Sequence, residues 1–219
     1  MNAVRNFQKE LDKIISGITA GETAKTSVTD GGELSVPRLF LHSCCAPCSS
    51  YVLEYLRDIF RITVFYYNPN ISRQIEYRKR VEEQKRLIAA YNEKTTGYPI
   101  SVVEGDYEPE RFFEVVKGLE QCPEGGERCF ACYELRLRKT AAFALAGGYD
   151  YFTTTLTISP LKNAPKLNEI GERLAKEYGI SWLPSDFKKR GGYQRSITLS
   201  KEYDLYRQDY CGCIYSERK

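Results

Sequence analysis

Eight cysteines stand in this chain of 219 residues, and seven of them fall into three tight groups: Cys44, Cys45 and Cys48; Cys129 and Cys132; Cys211 and Cys213. Cys122 stands apart and reads as a small buried hydrophobe. In a reducing compartment, clustered cysteines are metal ligands or redox groups rather than structural disulfides. A lone C-x-x-C serves thioredoxin-like pairs and half zinc sites alike. Thiols drawn from three distant segments exceed what one tetrahedral zinc takes, and their softness leaves zinc or iron–sulfur as the metals. Cluster ligation uses four cysteinates, so about three thiols remain for a second metal, a redox pair or an open reactive position.

The run His42-Ser-Cys-Cys-Ala-Pro-Cys48 puts three thiols on a strand-to-helix turn, where backbone N–H groups and the helix dipole favour anions, thiolates included. No G-x-G-x-x-G and no G-x-x-x-x-G-K-[ST] occurs anywhere, which disfavours nucleotide binding at this turn. His42, the sole histidine, sits on an apolar strand-like run as a core residue, a partner of a metal ligand or a proton donor. A disulfide between Cys211 and Cys213 would be strained and easily reduced, which suits a transient redox role.

These groups need a scaffold that brings them together. Hydrophobic periodicity predicts a short helix over residues 4 to 18, with Phe7, Leu11, Ile14, Ile15 and Ile18 on one face. A Gly-, Thr- and Ser-rich stretch from Gly21 to Ser35 reads as a linker, so residues 1–37 form an N-terminal helix and linker and 38–219 a single metal-binding catalytic domain. Strands are expected at Arg38 to Ser43, Ile62 to Asn68, Ile100 to Glu104 and Tyr151 to Leu156. Helices are expected at Ser49 to Phe60, Ser72 to Tyr91, Pro109 to Lys117, Tyr133 to Ala146 and Ala164 to Tyr178. This alternation defines an α/β fold, a mostly parallel sheet with helices on both faces, whose ligands lie beyond the carboxyl ends of the strands. The first three cysteines follow the first strand directly.

The bulk numbers exclude little but do so cleanly. With 42% hydrophobic residues the chain can bury one sizeable core. Its 32 basic and 29 acidic side chains give a net charge of +3, so any nucleic-acid footprint must be local. No apolar run approaches the ~20 residues of a membrane span, and the N-terminus lacks a signal-peptide core, which together predict a cytoplasmic protein without membrane attachment.

The cysteine groups, together with Tyr67-Asn-Pro-Asn-Ile71, Gly-Glu-Arg-Cys-Phe-Ala-Cys132, Phe152-Thr-Thr-Thr-Leu156, Asp186-Phe-Lys-Lys189 and Leu205-Tyr-Arg-Gln-Asp-Tyr-Cys-Gly-Cys213, resemble the QueH family from about Leu39 to Ser216. That resemblance implies reduction of epoxyqueuosine to queuosine at the wobble position of tRNA, the last step of queuosine biosynthesis. It implies a 4Fe–4S cluster, an additional iron ion nearby, and a fold similar to adenine-nucleotide α-hydrolases. Removing an epoxide oxygen as water takes two electrons and two protons. Cys44, Cys45, Cys48, Cys129 and Cys132 are the expected metal-binding core, with Cys211 and Cys213 completing it or cycling as a redox pair. Cys45 and Asp186 are the catalytic candidates, Asp186 for metal ligation or proton delivery, with Asp106 and Asp209 behind it.

For the tRNA, the basic runs Arg73/Arg78/Lys79/Arg80, Arg136/Arg138/Lys139 and Lys188/Lys189/Arg190 are candidates to line the backbone path. Tyr206 and Arg207, beside the last cysteine pair, are candidates to stack on an everted base. No flavin or nicotinamide fingerprint is present, so electrons would come from an external donor such as ferredoxin or flavodoxin. Three rival readings share these residues: a metal-free thiol–disulfide oxidoreductase, a zinc-stabilised RNA-binding module, and an ATP-dependent tRNA thiolase.

Overall fold

The structure, a computed structural model, describes residues 5–21 and 36–217. Five strands form one all-parallel sheet: β1 (Arg38–His42), β2 (Arg61–Tyr66), β3 (Ser101–Glu104), β4 (Tyr151–Thr154) and β5 (Ser181–Trp182), in the order β3-β2-β1-β4-β5. Side chains alternate across a strand, so Leu39, Leu41, Ile62, Val64 and Tyr151 face one apolar cluster while Phe40, Phe65 and Phe152 face the other. The first cluster is closed by α1 (Phe7–Thr19), α2 (Ala46–Leu56) and α3 (Gln74–Asn92), the second by α5 (Glu127–Ala146) and α6 (Ala164–Tyr178). This is the expected α/β fold. Each fully buried Leu or Ile contributes about 1.5–3 kcal/mol, which fixes the register because a one-residue slip would turn every one of them to the wrong face.

The chain builds β1, β2 and β3 outward, then returns to lay β4 on the other side of β1. The reversal opens a crevice at the carboxyl ends of β1 and β4, where open α/β sheets bind ligands. α6 shows how the elements around it are held. Asn163 caps it by accepting from the Lys166 N–H at 3.0 Å, Pro165 occupies its first turn, and Gly179 ends it in the left-handed conformation. Inside it, Gly171 lies against the Trp182 ring so closely that a Cβ there would collide with the indole.

Several boundaries differ from expectation. The helix expected from Ser49 begins at Ala46, since Pro47 fits a first turn, and this places Cys48 on the helix rather than before it. The helix expected from Tyr133 begins at Glu127, so Cys129 and Cys132 share a helical face one turn apart. The strand expected to run to Leu156 stops at Thr154 and turns into a short 3-10 segment, Thr155–Ile158. Two elements were not anticipated: β5, too short for a periodic signal, and α7 (Gly192–Glu202), whose glycine start and Ser/Thr content mask its helicity. α4 (Pro109–Val115) lies between β3 and α5. α1 contributes Leu11 and Ile18 to the first cluster. Apart from Gly21, the predicted linker lies outside the described residues. Among the described residues, no helix is long and apolar enough to cross a membrane.

Candidate functional site

At the end of β1 the backbone turns through Ser43 and Cys44, and Cys45 caps α2 in extended conformation. Buried polar groups pin this turn. The Ser43 and Ser49 hydroxyls donate to Gln84 Oε1 at 2.7 and 2.9 Å, and Asn68 Nδ2 donates to the Ser43 carbonyl at 2.9 Å. The Cys44 N–H donates to Thr155 Oγ1, which ties the turn after β1 to the turn after β4. The outcome is a triad: the sulfurs of Cys44, Cys45 and Cys48 all lie within 4.8 Å of one another, able to hold a metal ion.

Three thiols this close cannot all ionise in isolation. Thiol hydrogen bonds from Cys45 and Cys48 hold Cys44 well below the usual thiol range, while its neighbourhood pushes Cys45 up to about 12 and Cys48 upward as well. Cys44 is therefore the first of the three to give up its proton, and a bound cation would draw the remaining protons off.

The triad walls a cavity of about 330 Å³ together with Cys211, the buried bases Arg80, Arg136 and Lys162, and the segment Arg207 to Tyr210. A second, smaller cavity of about 20 Å³ is walled by Cys129, Cys132, Cys211 and Cys213. Cys211, Arg136 and Lys162 stand in both walls, so the three cysteine groups that are far apart in sequence meet here. Asn70 Nδ2 and Arg80 donate to the Cys211 carbonyl at 3.1 and 3.2 Å, and Gly212, at φ 101°, presses against Ile71 where a Cβ would sit 2.7 Å from Cγ1. The glycine is thus required for the last two cysteines to reach the site. Hydrogen bonding from Cys213 holds Cys211 well below the usual thiol range against burial, and nearby Lys162 helps; Cys213 is pushed up by the same bond. Burial raises Cys132, whereas Cys129 Sγ accepts the Gly125 N–H at 3.2 Å.

His42 is fully buried behind the triad. Its Nδ1 lies 2.8 Å from Thr154 Oγ1, and the Arg136 Nε–H donates to its Nε2 at 3.2 Å. Burial, then the Arg136 charge, pushes its pKa down to about 3, so the ring is neutral at any ordinary pH.

Other candidates fall at varying distance from this centre. Arg207 walls the large cavity and donates to Ser200 Oγ at 3.2 Å. The Tyr206 hydroxyl donates to Glu76, and Lys79 lies 3.4 Å above its ring. Asp186 walls neither cavity and is bridged to Lys188 at 2.6 Å; Asp209 is the acidic residue on the large cavity's wall. Lys189 is exposed, and Arg190 pairs with Asp12 of α1. Two members of the predicted basic runs point inward: Arg80 is 2% and Arg136 3% exposed, so neither can meet an RNA backbone. Both read as solvated because helical charge runs usually are. The signal that places Arg136 inward is its spacing of four and seven residues from Cys132 and Cys129, the same helical face. Arg138 is taken up by Glu134 and Glu177, and Lys139 approaches Glu108 at 3.5 Å. Lys162 and Tyr133, both at the cysteine walls, carried no sequence motif that would have singled them out, and Asn70 stood in the run Tyr67-Asn-Pro-Asn-Ile71 without a role assigned to it.

Fold and site define an α/β protein with a cysteine-lined centre at the sheet's switch point. A family model described as epoxyqueuosine reductase QueH matches residues 39–219. Relatives bearing that name include one from Streptococcus pyogenes, 46% identical over 182 residues that make up 83% of this chain and 71% of the relative. Another, from Staphylococcus epidermidis, is 45% identical over 216 residues, 98% of this chain and 85% of its own length. A third, from Thermotoga maritima, is 36% identical over 181 residues, 81% of this chain and 89% of its own length. The chain belongs to the epoxyqueuosine reductase QueH family.

Proposed function

We propose that this protein reduces epoxyqueuosine to queuosine in tRNA, using a 4Fe–4S cluster and an additional iron held among Cys44, Cys45, Cys48, Cys129, Cys132, Cys211 and Cys213. The observation that carries the reading is the convergence of three cysteine groups on two cavities that share Cys211, Arg136 and Lys162, in a chain of this family. The donor set fits such a group. Its thiols are soft ligands, Cys44 and Cys211 are held well below the usual thiol range, and Arg80, Arg136 and Lys162 supply positive charge for an anionic centre. When bound, iron and cluster would supply Lewis acidity and electrons.

The residues themselves do the rest. A cavity of about 330 Å³ is at the small end of ligand pockets and suits one modified base drawn out of its stack. Arg207 lines it, and Tyr206, its neighbour in the chain with Lys79 above its ring, offers a stacking surface; Lys188, Lys189 and Arg190 are the basic stretch for the RNA backbone. Opening the epoxide to an alkene takes two electrons from an external donor such as ferredoxin or flavodoxin and two protons, and releases water. Cys45 belongs to the catalytic centre, and the proton donor is a carboxylic acid or a water held by one, with Asp186 and Asp209 as the candidates. The reaction on tRNA places the protein in the cytoplasm.

The test is a single-turnover assay of anaerobically reconstituted protein on epoxyqueuosine-containing tRNA with a chemical reductant, alongside iron and sulfide counts, for wild type and Cys45→Ala. Queuosine formed only by iron-loaded wild type supports the reading. Zinc without acid-labile sulfide and without turnover would favour an RNA-binding module instead, and turnover by metal-free chain would favour thiol–disulfide chemistry.

A further inference from the structure

Four arginines, Arg57, Arg80, Arg128 and Arg136, are buried, and of these Arg80 alone has an acidic partner among the described residues. Arg80 pairs with Glu76 at 2.6 Å, and the buried Lys162 approaches Glu124 at 3.5 Å. Arg57 and Arg128 donate to main-chain carbonyls, whereas Arg136, likewise without an ion pair to a carboxylate among the described residues, donates to none. Its fork is filled by neutral groups and sulfur, with Nε donating to His42 Nε2 at 3.2 Å, one terminal nitrogen donating to Asn68 Oδ1 at 2.5 Å, and the other 3.9 Å from Cys132 Sγ. Removing a guanidinium from water without an anion beside it is strongly unfavourable, so the position implies negative charge within reach. The negative charge that acts on Arg136 comes from the cysteines, Cys132 first and then Cys44 and Cys211, with which it walls both cavities.

The orientation of that cation is also fixed. A guanidinium Nε always carries its hydrogen, so His42 Nε2 must accept, which leaves the imidazole proton on Nδ1 to be donated to Thr154 Oγ1 at 2.8 Å. The Tyr67 carbonyl, 3.1 Å from the same Nε2, is then a close neighbour and not a bonding partner. Asn68 is locked in turn, because its Nδ2 donates to the Ser43 carbonyl of the triad's own turn. The tip of β1, the tip of β4 and the turn before α2 thus all converge on one arginine.

We infer that Arg136, aimed by His42 and Asn68, is the charge-compensating cation of the cysteine centre and raises the reduction potential of the iron–sulfur group held there. The inference rests on the proposed cofactor. A fixed positive charge favours the more negative, reduced form of any centre beside it, and for a buried guanidinium the effect is weakly screened. His42 is a positioning residue: it lines neither cavity and acts through the arginine.

The experiment is an EPR-monitored redox titration with dithionite of anaerobically reconstituted wild type, Arg136→Gln, Arg136→Lys, His42→Leu and the double variant His42→Leu/Arg136→Gln. Iron and sulfide counts and far-UV circular dichroism are taken for each. Arg136→Gln is expected to lower the reduced-to-oxidised ratio at fixed potential at least tenfold, about 59 mV for a one-electron couple, with Arg136→Lys restoring part of it. His42→Leu is expected to shift the potential in the same direction by less, and to add nothing in the Arg136→Gln background, since both act through one group. A folded Arg136→Gln that loses iron uptake while Arg136→Lys keeps it supports the same role for the charge. An unshifted potential in loaded Arg136→Gln overturns the inference, as does loss of uptake in Gln and Lys variants alike or a fully additive histidine effect. Wild type that takes up neither iron nor sulfide removes the proposed cofactor itself, and this inference with it.

Discussion

Acidification tests the burial of His42 directly, because the chain has no other histidine. The ring's pKa falls from 6.5 to about 3 on folding, through burial first and the Arg136 charge second. Below pH 6.5 the unfolded chain takes up a proton that the native ring refuses. Stability at pH 7 is therefore untouched by this group, and it is lost at about 1.4 kcal/mol per pH unit as the pH falls from 6.5 toward 3. At pH 5 the loss is about 2 kcal/mol, equivalent to about 4–8 °C in melting temperature for a chain of this size. Cys44 and Cys211, held below the usual thiol range, contribute a slope of the same sign, so the histidine must be isolated by difference. The assay is urea unfolding of the reduced, metal-free chain at pH 7, 6 and 5, for wild type and His42→Gln, whose amide does not titrate. Wild type should lose about 2 kcal/mol more than the variant between pH 7 and 5. Parallel curves for the two proteins would refute the reasoning and mean that His42 is solvated or charged in the native state.

Gly171→Ala places a methyl against the buried Trp182 ring and should destabilise the chain by about 1–3 kcal/mol, read in thermal melts and in the emission of this single tryptophan; an unchanged melt would mean the helix and β5 can part without cost. Gly212→Ala meets Ile71 and demands a left-handed backbone from a residue with a Cβ, so it should cost about 1–3 kcal/mol and displace Cys211 and Cys213, lowering iron uptake on reconstitution. Cys122→Ala should leave iron and sulfide counts at the wild-type level, because this residue lines neither cavity; a lost iron would return it to the ligand set.

The sequence on its own determined the class of fold and the identity of the reactive groups, because both are written in local patterns. Alternating and helical apolar periods survive in Leu39 to His42, Ile62 to Val64 and Ala164 to Tyr178, and turn cysteines are conspicuous at any reading. Local pattern also misled where two signals overlapped. The thiols of Cys48, Cys129 and Cys132 sit on helices and not before them, since Pro47 and a glycine-rich approach mark a helix's first turn as readily as a loop. What only the tertiary structure decided is which groups face one another. Arg80 and Arg136 read as surface charges in their runs, yet the crossings of α3 and α5 over the sheet turn both toward the cysteines. Cys211 reaches the triad because Gly212 lets the C-terminal segment lie against Asn70 and Ile71, more than a hundred residues away in sequence. Periodicity records how often a residue meets the interior, but which charge meets which thiol depends on contacts between distant segments, and no local spacing encodes those.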